Sequence, residues 1–394
     1  MLAGVNIVLG VTGSIAAVKT VELAHELRRQ GASVRAVMSP SATGIIHPWA
    51  VEFATENDVI TEITGRVEHV DLCGRDGWAD VFLIAPATAN TVGKIAGAID
   101  DTPVTTTATT ALGAGLPVVI APAMHEPMYD HPGVLEAIER VESWGVDFVD
   151  PRIEEGKAKI ASEAAIITGV ARATTPQDLA GKEIIVTSGA TSESIDPIRV
   201  LTNRASGTTG RAVARSCHIR GADVTLVHDG PEVHYADTVS VESAAEMLAA
   251  VEGRVPEADA LISAAAISDY TVEAADTKLR SGEPRTLELE PTPKLLDSVR
   301  QSHPELTMVG FKAETAGDDD AMVQQAAALR DRVDLAFVVA NDASVMGTDE
   351  TRALFVDAAT DTPADCETVA GSKEVLGDCV AQRLAEQLSG PTTS

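Results

Sequence analysis

Apolar positions along the chain alternate between two arrangements, and the alternation predicts the fold class. Val5-Asn6-Ile7-Val8-Leu9 is a short, nearly continuous apolar run, as a strand covered on both faces requires, and Gly10-Val11-Thr12-Gly13-Ser14 breaks it. From Ile15 to Gln30 the residues Val18, Val21, Ala24 and Leu27 recur at every third position, which predicts a helix; Gly31 stops it before a second strand, Ser33 to Met38. Strand, glycine turn, helix and strand make a βαβ unit on a parallel sheet. Further buried-strand runs, Val81 to Ala85 and Val118 to Ala121, extend it.

Around residues 173–182 the periodicity lapses into Ala-Thr-Thr-Pro-Gln-Asp-Leu-Ala-Gly-Lys, which predicts a domain boundary. The second half then repeats the opening: a strand Glu183 to Thr187, a Ser188-Gly189 turn, a long loop, a helix near Thr208 to Arg220 and a strand Val224 to Val227. Even the helix exits match, Arg29-Gln30-Gly31-Ala32-Ser33-Val34 against Ile219-Arg220-Gly221-Ala222-Asp223-Val224. The reading is an α/β protein of two tandem Rossmann-like domains with mainly parallel sheets, 1–175 and 181–394, and a frayed tail after Gln387.

Composition narrows the function. With 30 Lys+Arg against 59 Asp+Glu the formal net charge is −29, and such a surface repels nucleic acid and anionic lipid. Lysine is scarce, at nine residues, and aromatic residues are 3%; together with the acid excess this points to a surface kept hydrated in a saline cytoplasm. A lysine retained in a loop therefore merits inspection. Cys73, Cys217, Cys366 and Cys379 lie far apart with no CxxC pair, so neither a zinc site nor a disulfide framework is indicated. No run of about 18 apolar residues occurs and no basic segment precedes an apolar one near Met1, so a cytoplasmic location is expected.

Three turns carry candidate chemistry. Gly10-Val-Thr-Gly13-Ser14, between strand and helix, suits either a phosphate cradle at a helix N-terminus or a tight ligand-free βα turn, and it is neither a Gly-x-Gly-x-x-Gly fingerprint nor a Walker loop. Ala85-Pro86-Ala87-Thr88-Ala89-Asn90-Thr91 follows a strand at the edge where α/β sheets bind ligands. Pro122-Ala123-Met124-His125-Glu126-Pro127-Met128-Tyr129 follows another. Core-filling methionines would explain part of this loop, although not its two prolines and its histidine.

These segments, with Gly-x-Thr-Gly-Ser-Ile-Ala-Ala-x-Lys at 10–19, resemble the flavin-binding half of the bifunctional phosphopantothenoylcysteine decarboxylase/phosphopantothenate cysteine ligase of coenzyme A biosynthesis, in an archaeal-like form. The second half is similar to the ligase signature in the family's order: Thr187 to Arg199, Leu201-Thr-Asn203 with Ser206-Gly207, Ala264 to Tyr270, Gly310 to Thr315 and Ala340-Asn-Asp342.

For the first half the resemblance implies a flavodoxin-like decarboxylase domain, with FMN bound by Gly13, Ser14, Ser39 and the loop around Thr88. It implies His69 as the base that assists flavin oxidation of the substrate's cysteine moiety to a thioaldehyde, which then loses CO2. Without the resemblance His69 would read as a core histidine. Asn90 is implied on the substrate carboxylate, with the loop of Met124 and His125 over the substrate. Two departures stand out: His125 replaces the Asn of bacterial members, and the flap Glu154 to Ile160 lacks the family's proton-donating Cys. Either Lys157 or Lys159 takes over protonation, or the last half-reaction differs; a solvated charged loop is the other reading of the two lysines.

For the second half the resemblance implies activation of 4′-phosphopantothenate by CTP, with Mg2+, to an acyl-cytidylate that cysteine attacks. Asn203 matches the residue that holds this intermediate. Asp269, Lys278, Pro293, Lys294, Leu295, Leu296 and Phe311 match positions contacting CTP, and Arg332 stands for a lysine near the triphosphate. Thr292-Pro293-Lys294-Leu295 departs from the usual Asn-Pro-Asp-Ile. The resemblance also implies a homo-oligomer, with decarboxylase trimers, ligase dimers and sites shared between chains. The alternatives are a ligase with an inactive or altered decarboxylase half, or a flavin-bound regulatory subunit.

Overall fold

The structure is a computed structural model describing residues 1–154, 157–314, 318–342, 350–360 and 362–390. The chain divides into two compact units, Met1–Pro176 and Gln177–Ser394.

In the first unit, β1 (Asn6–Val11), β2 (Ser33–Met38), β3 (Val59–Ile60), β4 (Val81–Ala87), β5 (Val118–Pro122) and β6 (Asp147–Phe148) form a parallel sheet in the order β3-β2-β1-β4-β5-β6. Burial on both faces explains the continuous apolar runs. Side-chain alternation sends Val8, Phe82, Ile84 and Ile120 into one core, which α2 (Ala89–Ala96) and α3 (Pro103–Ala114) close with Val92, Ile95, Val104 and Ala108. The opposite face is covered by α1 (Thr20–Arg29) and α4 (Glu163–Thr174), which bury Leu23, Leu27 and Ile166.

The first helix corrects the sequence reading. Ile15–Lys19 is a 3-10 turn and α1 begins at Thr20, so the phase of the apolar stripe shifts between them. Ala17, Thr20, Leu23, Ala24 and Leu27 face inward, Val21 is half-buried, and Val18 is 56% exposed.

The second unit repeats the plan with an antiparallel edge. β7 (Glu183–Ser188), β8 (Asp223–His228), β9 (Asp237–Ser240), β10 (Ala260–Ser263), β11 (Thr307–Glu314), β12 (Phe337–Asp342), β13 (Glu350–Val356) and β14 (Glu367–Ser372) lie in the order β9-β8-β7-β10-β11-β12-β13-β14. The last two pairings are antiparallel and the others parallel. One face is covered by α5 (Thr208–Ile219) and α6 (Lys373–Ser389). A Cβ on Gly377 would lie 2.8 Å from Ala212 backbone, so glycine permits this close helix crossing.

The long loop after β7 is not irregular throughout: Ser192–Ser194 and Val200–Thr202 pair as an antiparallel hairpin around the Asp196-Pro197 turn. Among the described residues, no helix is long and apolar enough to cross a membrane.

Candidate functional site

In each unit the strand order reverses beside the first strand, between β1 and β4 and between β7 and β10, and the turns leaving those strands diverge there. In the first unit these turns are stitched together. The Thr12 hydroxyl donates to the Pro86 carbonyl at 2.8 Å and accepts from the Thr88 N–H at 3.1 Å. The Ser14 hydroxyl donates to the Ala123 carbonyl at 3.1 Å, and the Ser39 N–H donates to the Val11 carbonyl at 3.0 Å. Ser14, Ser39 and Thr88 each cap the helical turn that follows, accepting from Ala16, Ala42 and Thr91 N–H groups. Gly13 is closely covered, since a Cβ there would fall 2.4 Å from Ser41 Oγ. Ser41 Oγ in turn lies 3.0 Å from Ser39 Oγ. Gly13, Ser14, Ser39 and Thr88 thus sit in turns at one sheet edge.

Asn90 is exposed in the first turn of α2. Met124 and His125 form a short strand paired with Lys157–Lys159, which pairs in turn with Arg152–Glu154. The Met loop and the flap are therefore one three-stranded sheet, which sequence reading treated separately. Lys159 is half-buried; the Lys157 side chain lies outside the described residues. Burial, with Asp150, Glu142 and Asp130 nearby, raises the Tyr129 pKa, so this phenol stays protonated.

His69 lies in the helix Glu68–Cys73, which packs on α3, and its Nδ1 is buried without a partner. Glu68 is held below the usual carboxylate range by the Thr64 hydroxyl and amide. Among the described residues no hydrogen bond joins His69 to Asn90 or to the Met124–His125 strand. A cavity of about 190 Å³, absent from the sequence reading, lies between Lys19, Thr20, Pro86, Arg152 and Ser162, and the hydroxyl of Thr20 is buried without a partner.

In the second unit a cavity of about 380 Å³ opens beyond β7, β10 and β11. Its floor is the start of α5, where Gly207 caps the helix at φ 73°, a left-handed conformation that glycine adopts without cost. A Cβ on Gly210 would meet Ser188 Cβ at 2.6 Å, so the helix start lies directly on β7. The walls include Asp269, Pro293, Lys294, Leu295, Leu296, Phe311 and Arg332, all singled out from sequence. Lys294 pairs with Asp269, and Arg332 with Asp297, which also lines the cavity.

Asn203 is exposed beside the cavity, its Nδ2 donating to the Ala266 carbonyl at 2.9 Å. Lys278 is exposed and is not among the lining residues. Sequence reasoning missed Arg204, Thr351 and Lys373, and quoted Asn341 only within the Ala340-Asn-Asp342 signature, without a role. The scarcity of lysine was the available signal: Lys294, Lys312 and Lys373, a third of the nine, line this one cavity.

Comparison with known proteins gives the family. Residues 1–175 match the model described as Flavoprotein, and residues 179–388 match the DNA/pantothenate metabolism flavoprotein C-terminal domain. The coenzyme A biosynthesis bifunctional protein CoaBC of Thermococcus kodakarensis is 50% identical over 361 residues, covering 90% of this chain and 89% of that protein. The protein of the same name from Methanocaldococcus jannaschii is 33% identical over 390 residues, covering 98% and 94%. A crystal structure of the C-terminal domain of a CoaBC protein is 28% identical, covers 54% of this chain and 98% of that one, and has a TM-score of 0.44. With both halves matched by family models and a relative half identical over nearly the whole of both chains, the chain belongs to the CoaBC family of bifunctional coenzyme A biosynthesis proteins.

Proposed function

We propose that the chain converts 4′-phosphopantothenate and cysteine to 4′-phosphopantetheine in two reactions, a CTP-dependent ligation in the second unit and an FMN-dependent decarboxylation in the first. The observation that carries the reading is the charge of the second cavity. In a chain of net charge −29, Arg204, Lys294, Lys312, Arg332 and Lys373 gather on its walls beside the start of α5. That arrangement suits a triphosphate meeting a phosphorylated acid, whose mutual repulsion cations and backbone N–H groups offset.

In the ligation, Lys294 and Arg332 hold the nucleotide's phosphates and Phe311 with Leu295 and Leu296 supplies the apolar wall. Asp269 and Asp297, which line the cavity, would hold a Mg2+ ion, which would offset the charge of the triphosphate. Lys278 neutralises charge as pyrophosphate leaves, and Asn203 orients the activated acyl group for attack by cysteine.

In the decarboxylation, the joined turns of Gly13, Ser14, Ser39 and Thr88 fit a flavin mononucleotide, whose phosphate suits a cluster of hydroxyls and backbone N–H groups at the starts of helical turns. Bound FMN would supply the two-electron oxidation of the cysteinyl carbon and, as reduced flavin, would give the two electrons back to the enethiol once CO2 has left, so that the conversion is redox-neutral overall. His69 takes the thiol proton through its ring nitrogen, Asn90 binds the departing carboxylate, and the sheet bearing Met124, His125 and Lys159 covers the substrate. Either Lys157 or Lys159 returns the final proton. Exposed Ile15, Val18, Trp49 and Phe53 suit assembly with further copies, and the location is cytoplasmic.

The test supplies the purified chain, in molar KCl, with phosphopantothenate, cysteine, CTP and Mg2+, and follows both products by mass. His69→Asn is expected to accumulate phosphopantothenoylcysteine with ligation intact, and equal loss of both activities in a folded variant rejects the division of labour. The flap without Cys supports a second reading, in which the decarboxylase half is altered at its last half-reaction and the unaltered chain accumulates the decarboxylated enethiol in place of 4′-phosphopantetheine.

A further inference from the structure

Lys278 stands in a strap rather than on the cavity wall. Tyr270↔Pro291 and Thr271↔Glu290 close the strap's base, and its two ends run directly into Asp269 and Thr292, which line the cavity. Between them, residues 272–289 contain no helix or strand. What fixes this segment is the hairpin turn of residues 195–199. The Asp196 side chain is fully buried and accepts four hydrogen bonds: at Oδ1 from the Ile198 and Arg199 N–H groups, 2.8 and 2.9 Å, and at Oδ2 from the Leu279 N–H, 3.0 Å, and the Arg199 guanidinium. The guanidinium also donates to the Leu279 carbonyl at 3.0 Å. Both backbone polar groups of the residue after Lys278 are thereby held by one ion pair. A neighbouring rung, the Ala275 N–H to the Ile195 carbonyl at 3.0 Å, runs between the same two segments.

A second buried carboxylate holds the strap's entry. Glu193 accepts from the Thr271 hydroxyl at 2.8 Å through one oxygen and from the Ala244 N–H at 2.9 Å through the other.

We infer that Asp196 is a positioning residue for the ligation: its carboxylate, with Arg199, clamps the backbone at Leu279 and so aims Lys278, while Glu193 anchors the strap's base at Thr271. The proposal rests on the role given to Lys278 in pyrophosphate release. A carboxylate offers about four acceptor sites and all four are used, whereas an amide oxygen offers two, so asparagine cannot replace it. Burial makes the clamp specific, because a buried charge must find its donors wherever the chain brings them.

The experiment uses the full chain in molar KCl with Asp196→Asn, Lys278→Gln and the double variant. Hydrogen exchange followed by mass on peptides around Leu279 is expected to speed up roughly ten- to hundredfold in Asp196→Asn, as loss of a hydrogen bond to a charged group implies, with peptides of α5 unchanged. Single-turnover pyrophosphate release is expected to slow in Asp196→Asn, and the same substitution is expected to add nothing in the Lys278→Gln background. Unchanged exchange at Leu279 overturns the clamp. An equal slowing in both backgrounds overturns action through Lys278. If Lys278→Gln releases pyrophosphate at the unaltered rate, the reading beneath the proposal fails and the proposal with it, although faster exchange would still show the clamp. Should Asp196→Asn not fold, Thr271→Val removes the other anchor's hydroxyl at a half-buried site, and the same exchange and rate tests decide.

Discussion

Replacing Gly13 by alanine places a methyl group where Ser41 already stands. The added Cβ would lie 2.4 Å from Ser41 Oγ, 2.5 Å from its Cβ and 3.2 Å from its carbonyl carbon, so Ser41 must move as a whole. Ser41 Oγ is within hydrogen-bond distance of Ser39 Oγ, and Ser39 caps the turn that follows β2, so the displacement reaches two of the proposed flavin contacts. Overpacking of one methyl in a tight site costs about 1–3 kcal/mol. In a unit of this size that lowers the melting temperature by roughly 2–12 °C. Losing one hydrogen bond to a charged phosphate, worth about 1.5–3 kcal/mol, weakens FMN roughly ten- to hundredfold. The assay is flavin absorbance per chain after FMN titration, with a thermal melt of the same samples. Gly113→Ala in α3 is the control, because its Cβ meets nothing within 4 Å and an exposed helical alanine stabilises by about 0.5–1 kcal/mol. If Gly13→Ala binds FMN and melts as the unaltered chain does, the turn is no flavin cradle.

His228 ends β8 with a fully buried side chain; burial lowers its pKa, Arg211 adds to this, and Asp229 and the Pro231 carbonyl oppose it. An unfolded histidine titrates near 6.5, so the unfolded state binds the proton first, and stability present above about pH 6.5 is lost as pH falls toward the folded value. The melting temperature of His228→Gln is expected to fall less between pH 7.5 and 5.5, and equal slopes refute the assignment. The acid excess predicts that added KCl raises the melting temperature as the Debye length shortens from roughly 10 Å at 0.1 M to 3 Å at 1 M. A melt indifferent to KCl counts against a saline-adapted surface.

What the sequence made legible were the features decided by neighbouring residues. The strand Ser33–Met38 was readable to the residue, because a glycine stop precedes it and Val34, Ala36, Val37 and Met38 supply its buried apolar positions. Ser14 and Thr88 were readable as turn residues, in the Gly10 to Ser14 and Ala85 to Thr91 segments, whereas Ser39 came from the family resemblance alone; in the structure each hydroxyl caps the helical turn that follows. Val18 was misread because the threefold spacing holds through a 3-10 turn and then changes phase at Thr20, a difference of a fraction of a turn that the residue types do not show. Lys373 reaches the cavity from the start of α6, and Thr351 from the antiparallel β13, through a sheet register that periodicity does not encode.

Asp196 shows the limit and also a way past it. An Asp-Pro pair reads as a solvated turn, and its donors at Ile198 and Arg199 are local, as such a turn implies. The remaining donor, Leu279, lies 83 positions away. No local pattern names it, yet burial of the carboxylate requires a donor of that kind, because leaving an acceptor site unmet inside the protein costs more than ordering a loop residue to fill it. The position of Lys278 therefore follows from a charge that must be satisfied elsewhere in the fold: a mobile-looking strap is held at the residue beside its lysine, which leaves the ammonium free to reach outward while its backbone stays fixed.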